Sequence, residues 1–116
     1  MAPTLYYIHI SPPCRAVRLV AKALNIELDL KLVNLREREH YTPEFLKLNP
    51  QSTVPTLVDE GFAIADSHAI VTYLANKYGR GSSLYPEDPK ARALVDWRLY
   101  FDIESLYARF SDYYVS

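Results

Sequence analysis

An α/β domain of order β-α-β-α-β-β-α, followed by the start of a helical segment, is the fold this sequence predicts. Two patterns predict it. Near the N-terminus an apolar run, a proline turn and an amphipathic helix lead almost directly into a second strand-like run. Such a β-α-β crossover implies parallel strands. Near the middle, two short apolar runs flank Asp59-Glu60-Gly61, which reads as a β-hairpin.

Leu5-Tyr6-Tyr7-Ile8-His9-Ile10 is rich in aromatic and β-branched side chains and reads as a strand buried on both faces. Ser11-Pro12-Pro13 ends it, because proline cannot donate to a sheet ladder. Val17, Val20, Ala21 and Leu24 then recur at helical spacing, with Arg15, Arg18 and Lys22 on another face. Serine before prolines suits a helix N-terminus. Ser11 therefore stands where a buried strand hands over to a helix whose free N–H groups favour an anion. Its plainest role is an N-cap. A sharper role is a hydroxyl aimed at a negatively charged ligand atom.

Leu28 to Leu32 alternates apolar and charged residues and continues through Val33 and Leu35, as a half-exposed strand does. Arg36 to His40 reads as a charged loop. Thr42 caps a short helix to Leu48, with Pro43 in its first turn. Asn49-Pro50-Gln51-Ser52 breaks that helix. Val54 to Val58 and Phe62 to Ala65 form the hairpin. Asp66 and Ser67 are two candidate caps for a helix carrying Ile70, Tyr73, Leu74 and Lys77, and Gly79 suits its stop. Gly79 to Pro86 has the composition of a linker. From Pro89, Leu99, Ile103, Leu106, Phe110 and Tyr114 lie on one helical face. Continuous to Tyr114, that helix is about 39 Å long. A domain of residues 1–80 cannot cover it. We expect a domain at 1–80, a linker at 81–88, and at 89–116 the first helix of an all-α domain that the chain enters only partway, or that a partner completes.

The 116 residues suffice for one small domain with its own core. Apolar residues at 49% and charged residues at 23% are ordinary for a soluble globular protein. A formal net charge of -1 gives no reason to expect nucleic acid or an anionic membrane as partner. No apolar run reaches membrane-spanning length, and no secretory leader is expected from the first residues. The single cysteine, Cys14, has no internal disulfide partner. These features point to the cytoplasm.

His9, His40, His68 and Cys14 lack metal-ligand spacing, so no metal is expected. No glycine-rich phosphate loop is present. Ser11-Pro12-Pro13-Cys14 has the layout of a Cys-x-x-Cys redox motif, but serine cannot form the mixed disulfide that exchange requires. That argues against a glutaredoxin-like oxidoreductase. What remains is a hydroxyl donor in a place built to stabilise a thiolate.

At these residues the chain resembles the N-terminal domain of the cytosolic glutathione transferases, specifically the insect delta and epsilon classes. The stretches that carry the resemblance are Ser11 to Arg15, Pro43 to Gln51, Thr53 to Leu57, Asp66 to Ile70 and Ser83 to Pro86, with Arg98 to Asp102 extending it. The resemblance implies a thioredoxin-like domain followed by an all-helical one. It also implies a transferase that conjugates glutathione, a co-substrate rather than a cofactor, to hydrophobic electrophiles. Ser11 would donate its hydroxyl to the glutathione sulfur. Val54 would pair its backbone with the cysteinyl residue beside a cis bond at Pro55. Asp66 and Ser67 would hold the γ-glutamyl end, with His68 beside them, and His40 would approach the glycine end. Asp102 matches an acidic residue that assists from the partner subunit of a homodimer. Ile103, Tyr107, Phe110 and Tyr114 would wall the electrophile pocket, although ordinary helix packing explains the same stripe.

Two departures stand out. Ser52 lies where these classes usually carry a histidine contacting the glycine carboxylate, and serine is shorter and uncharged. Asp66 is shorter than the usual glutamate. Both leave room for a rival function, a non-catalytic binding or scaffold protein on the same fold.

Overall fold

The computed structural model describes residues 2–79 and 85–101. The chain divides into two compact units, Met1–Arg80 and Gly81–Ser116. The first unit holds β1 (Thr4–Tyr7), α1 (Pro12–Ala23), β2 (Asp29–Leu32), a 3-10 turn (Glu39–Tyr41), α2 (Pro43–Leu48), β3 (Thr56–Asp59), β4 (Phe62–Ala65) and α3 (Ser67–Tyr78). In the second unit the described helix is α4 (Pro89–Phe101). Asp88 Oδ2 accepts from the Ala91 amide at 3.0 Å near its start, and Tyr85 donates to Asp96 at 2.7 Å.

The strands form one mixed sheet in the order β2-β1-β3-β4. β1 pairs parallel with β2 through Leu5↔Leu30 and Tyr7↔Leu32, and antiparallel with β3 through Leu5↔Leu57 and Tyr6↔Thr56. β3 and β4 are antiparallel, with Thr56 opposite Ala65. Leu5, Tyr7, Cys14, Val17, Leu57, Ile70 and Leu74 form one buried cluster, so α1 and α3 share a face of the sheet. Tyr6 points the other way and meets Phe45 of α2 edge-on at 5.5 Å. The sheet thus lies between α1 and α3 on one side and α2 on the other.

Helix starts follow local chemistry. Ser11 caps α1, and its Oγ accepts from the Cys14 amide at 3.3 Å. Thr42 caps α2 through the Phe45 amide at 3.3 Å, and Asp66 caps α3 through the Ala69 amide at 3.2 Å.

Strand ends differ from the sequence reading. β1 stops at Tyr7, and Ile10 is 82% exposed in a turn rather than buried in a strand. Its last rung is Val33 N–H donating to Tyr7 O at 2.9 Å. On its other side β3 begins only at Thr56, because Pro55 has no N–H to offer. β2 is exposed on both faces, since it is an edge strand that α1 does not cover. A groove of about 470 Å³ separates α1 from β2, lined by Leu19, Ile26, Leu28 and Leu30 among others; no candidate site residue lines it. The charged loop contains the 3-10 turn, tied by the Asn34 amide donating to Glu39 Oε1 at 2.6 Å.

Asp59 is no turn residue. The hairpin turn is Glu60-Gly61, with φ of 51° and 82°, the left-handed pair that a two-residue type I′ turn demands. Asp59 ends β3 fully buried, and its Oδ2 accepts from Tyr73 at 2.7 Å, Lys77 at 2.7 Å and Tyr78 at 2.8 Å. Burial pushes its carboxyl up. The hydrogen bonds from Lys77, Tyr73 and Tyr78 together outweigh burial and hold it below its ordinary value of 3.8. The bond to Asp59 in turn raises Lys77, against the opposing effect of burial.

Two predictions follow from these contacts. A depressed carboxyl stabilises the fold above its unfolded pKa, and the gain is lost as pH falls through the folded one. Asp59→Asn therefore lowers unfolding free energy by about 2 kcal/mol at neutral pH, and its gap to the parent chain closes as pH drops below 3.8. Urea melts at stepped pH read this; a gap constant into acid would show that the charge is irrelevant. Second, Ser11→Ala removes the α1 cap and costs about 1 kcal/mol, whereas Ser11→Asp keeps a cap acceptor and costs less. Equal losses in the two variants would show that the cap contributes nothing.

Candidate functional site

Sheet topology gathers the sequence-predicted residues at one end. β1 and β2 run toward it, and beyond them lie Ser11 and the loop carrying His40. β3 starts there, so Val54 and Pro55 are at the same end. β4 runs back to it and delivers Asp66, Ser67 and His68 at the start of α3. The helices α1 and α3 both begin at this end, so two sets of free N–H groups and two positive dipole ends serve one region.

At α1, Ser11 is half-buried. Its oxygen is engaged as cap acceptor, and that bond does not use its proton, which is left for an acceptor. Cys14, one turn on, is wholly buried in the core and offers no second sulfur to exchange chemistry.

The Val54–Pro55 bond is cis, as the resemblance implies. Neither backbone group of Val54 has a hydrogen-bond partner among the described residues. The segment before it is held by Asn49, a residue the sequence reading took only as a helix breaker. Asn49 is buried, and its Nδ2 donates to Thr53 O at 2.9 Å, Thr53 Oγ1 at 3.0 Å and Thr56 Oγ1 at 3.1 Å. A clue existed in Thr53 and Thr56 downstream, yet nothing in the pattern marks that asparagine as buried.

Asp66 stands at φ 73°, and its carboxylate is 58% exposed while one oxygen caps α3. His68 Nδ1 lies 3.7 Å from Asp66 Oδ2 and 3.4 Å from Ser67 Oγ. Ser67 is buried as the first residue of α3. These three form one polar cluster on the β4 side.

On the β2 side, Ser52 donates through Oγ to the carbonyl of His40. The sequence reading placed both residues near the glycine end of a ligand without joining them. Ile103, Tyr107, Phe110, Tyr114 and Asp102 lie outside the described residues. Among the described residues no group of His, Cys, Asp and Glu could hold a metal ion, and no helix is long and apolar enough to cross a membrane.

The end of the sheet therefore offers a hydroxyl donor at Ser11, the backbone of Val54 without a hydrogen-bond partner among the described residues, a polar cluster with one carboxylate on one flank and an imidazole on the other. Known proteins resemble this chain in sequence and fold. The family model for the glutathione S-transferase N-terminal domain matches residues 5–83. A delta-class glutathione transferase from Nilaparvata lugens is 56% identical, with a TM-score of 0.93 over 97% of this chain and 53% of that one. An epsilon-class glutathione S-transferase from the housefly, Musca domestica, is 52% identical, with a TM-score of 0.87 over 91% of this chain and 49% of that one. A glutathione transferase homolog from Drosophila mojavensis, solved with bound glutathione, is 53% identical, with a TM-score of 0.85 over 89% of this chain and 47% of that one. The chain spans about half the length of the solved structures it matches. With its thioredoxin-like sheet and these matches, the chain belongs to the glutathione S-transferase family, alongside insect delta- and epsilon-class members.

Proposed function

We propose that this chain supplies the glutathione-binding half of a transferase that conjugates the glutathione thiolate to hydrophobic electrophiles, a detoxifying reaction. The observation that carries the reading is the convergence of Ser11, Val54-Pro55 and Asp66-Ser67 at one end of the sheet.

Sheet order supports one orientation for an extended tripeptide. Its ammonium meets the Asp66 carboxylate on the β4 side, and its α-carboxylate takes the N-terminus of α3 at Ser67. Its cysteinyl backbone pairs with the N–H and C=O of Val54, which have no partner among the described residues. That places the sulfur near the start of α1, at Ser11. The glycyl carboxylate then falls on the β2 side, where His40 is the nearby candidate hydrogen-bond donor.

Only the thiolate is a good nucleophile, and a thiol of pKa about 8.5 is a few per cent ionised at neutral pH. A hydrogen bond from Ser11 to a charged sulfur contributes about 1.5–3 kcal/mol, and each unit of pKa depression corresponds to about 1.4 kcal/mol. One to two units of depression is thus within reach of one hydroxyl. The thiol proton passes to solvent. The sulfur then forms a bond to the electrophilic carbon, and where a leaving group is present it departs with its electron pair. No step needs a metal or a cofactor. We place the protein in the cytoplasm as a homodimer, with Asp102 assisting across the interface and Ile103, Tyr107, Phe110 and Tyr114 walling the electrophile pocket.

Two measurements test this. Ultraviolet thiolate absorbance of bound glutathione, followed against pH, should shift up by about one to two units in Ser11→Ala. Conjugation to a chloronitrobenzene should fall at least about tenfold in the same variant. Ser11→Asp, which keeps the cap, should lose as much, because it sets a carboxylate against the thiolate. Unchanged rates in both variants would remove Ser11 from the chemistry. Glutathione binding with no turnover in the parent chain would leave a binding protein on this fold.

A further inference from the structure

Ser52 and His40 are twelve residues apart, on either side of α2, yet the Ser52 hydroxyl donates to the His40 main-chain carbonyl. That carbonyl has no other hydrogen bond among the described residues, since the 3-10 turn uses Arg38 O and Glu39 O instead. Ser52 has φ of 60°, a conformation that favours glycine, and its amide donates to Asn49 O at 2.9 Å. Asn49 is itself buried and tied to Thr53 and Thr56. A rigid line therefore runs from the start of β3 through Asn49 and Ser52 to His40. The far side of the loop is pinned by Glu39 and Asn34.

The His40 ring tilts against Tyr41 with centroids 4.2 Å apart. Its Nδ1 is buried with no hydrogen-bond partner among the described residues. That leaves Nε2 as the nitrogen able to reach a ligand. A serine whose hydroxyl is spent on a carbonyl has no proton left for the ligand. It can, however, hold the residue that does the reaching.

We infer that Ser52 is a positioning residue: it acts on the glycyl end of glutathione through His40, not by touching the ligand itself. The inference rests on the glutathione reading of the site.

Ser52→Gly tests it without endangering the fold, because glycine suits a positive φ and the hydroxymethyl group that bonds His40 is lost. Isothermal titration compares glutathione with γ-glutamylcysteine, which lacks the glycyl residue. Ser52→Gly should weaken glutathione about fivefold and γ-glutamylcysteine by no more than about twofold, with the thermal midpoint unchanged. His40→Ala should behave the same way. The double variant should be no more than about twofold weaker than His40→Ala alone, since the two residues act as one unit. Additive losses would mean that Ser52 meets the ligand directly and would overturn the inference, as would equal losses for both peptides or no loss in Ser52→Gly. If the parent chain binds neither peptide, the glutathione reading fails first and takes this inference with it. If it binds both with equal affinity, the site holds the γ-glutamylcysteine part alone and only the inference is lost.

Discussion

Packing α1 and α3 side by side on one face of the sheet is the constraint from which the site follows. Leu5, Val17, Leu57, Ile70 and Leu74 are fully buried between these elements. Each contributes about 1.5–3 kcal/mol by leaving water, whereas a helix cap contributes about 1 kcal/mol. The core therefore decides where the helices lie, and the caps only trim their ends. Because both helices start at the end where β1 and β4 finish, their N-termini open onto the same region. Two positive dipole ends there favour anionic groups in a ligand.

Two aspartates bracket β4 and hold α3 at both ends. Asp66 caps its start, and Asp59 gathers Tyr73, Lys77 and Tyr78 from its later turns. A carboxylate facing the last turns of a helix opposes the dipole, and Lys77 offsets it at 2.7 Å with a second contact to Glu60 at 3.3 Å. The distal clamp does no chemistry. It fixes the slide of α3 along the sheet, and with it the height at which Asp66 and Ser67 stand.

Local signals were legible in the sequence, and tertiary ones were not. Ser11, Thr42 and Asp66 read as caps because capping is decided within four residues. The β-α-β unit and the hairpin were legible because apolar spacing records which face is buried. The end of β1 was misread because Ile8 and Ile10 look like strand residues. What stops the strand is the late start of β3 at Thr56, a fact about its neighbour. Asp59 was misread because Asp-Glu-Gly is a turn composition, and only the fold brings three donors from α3 to it. The cis bond at Pro55 and the ligand-binding roles came from resemblance alone; no residue type announces them. The pairing of Ser52 with His40 was missed for the same reason as Asp59, since it spans α2.

Ser11 can serve both fold and reaction because the two tasks use different atoms. Its oxygen accepts from the Cys14 amide, and that bond fixes one lone pair along the start of α1. The hydroxyl proton and the second lone pair take no part in that bond and are left for an acceptor or donor outside the helix. A residue recruited only for acidity would need its own orienting partner, as a catalytic base does. Here the cap is that partner. The helix dipole adds about 0.3–1 kcal/mol for a nearby anion, on top of the charge-assisted hydrogen bond. In the proposed site the two together would bring a thiol of pKa about 8.5 close to neutrality without a general base. In the proposed reaction, then, the serine oxygen that starts α1 also carries the proton donated to the nucleophile.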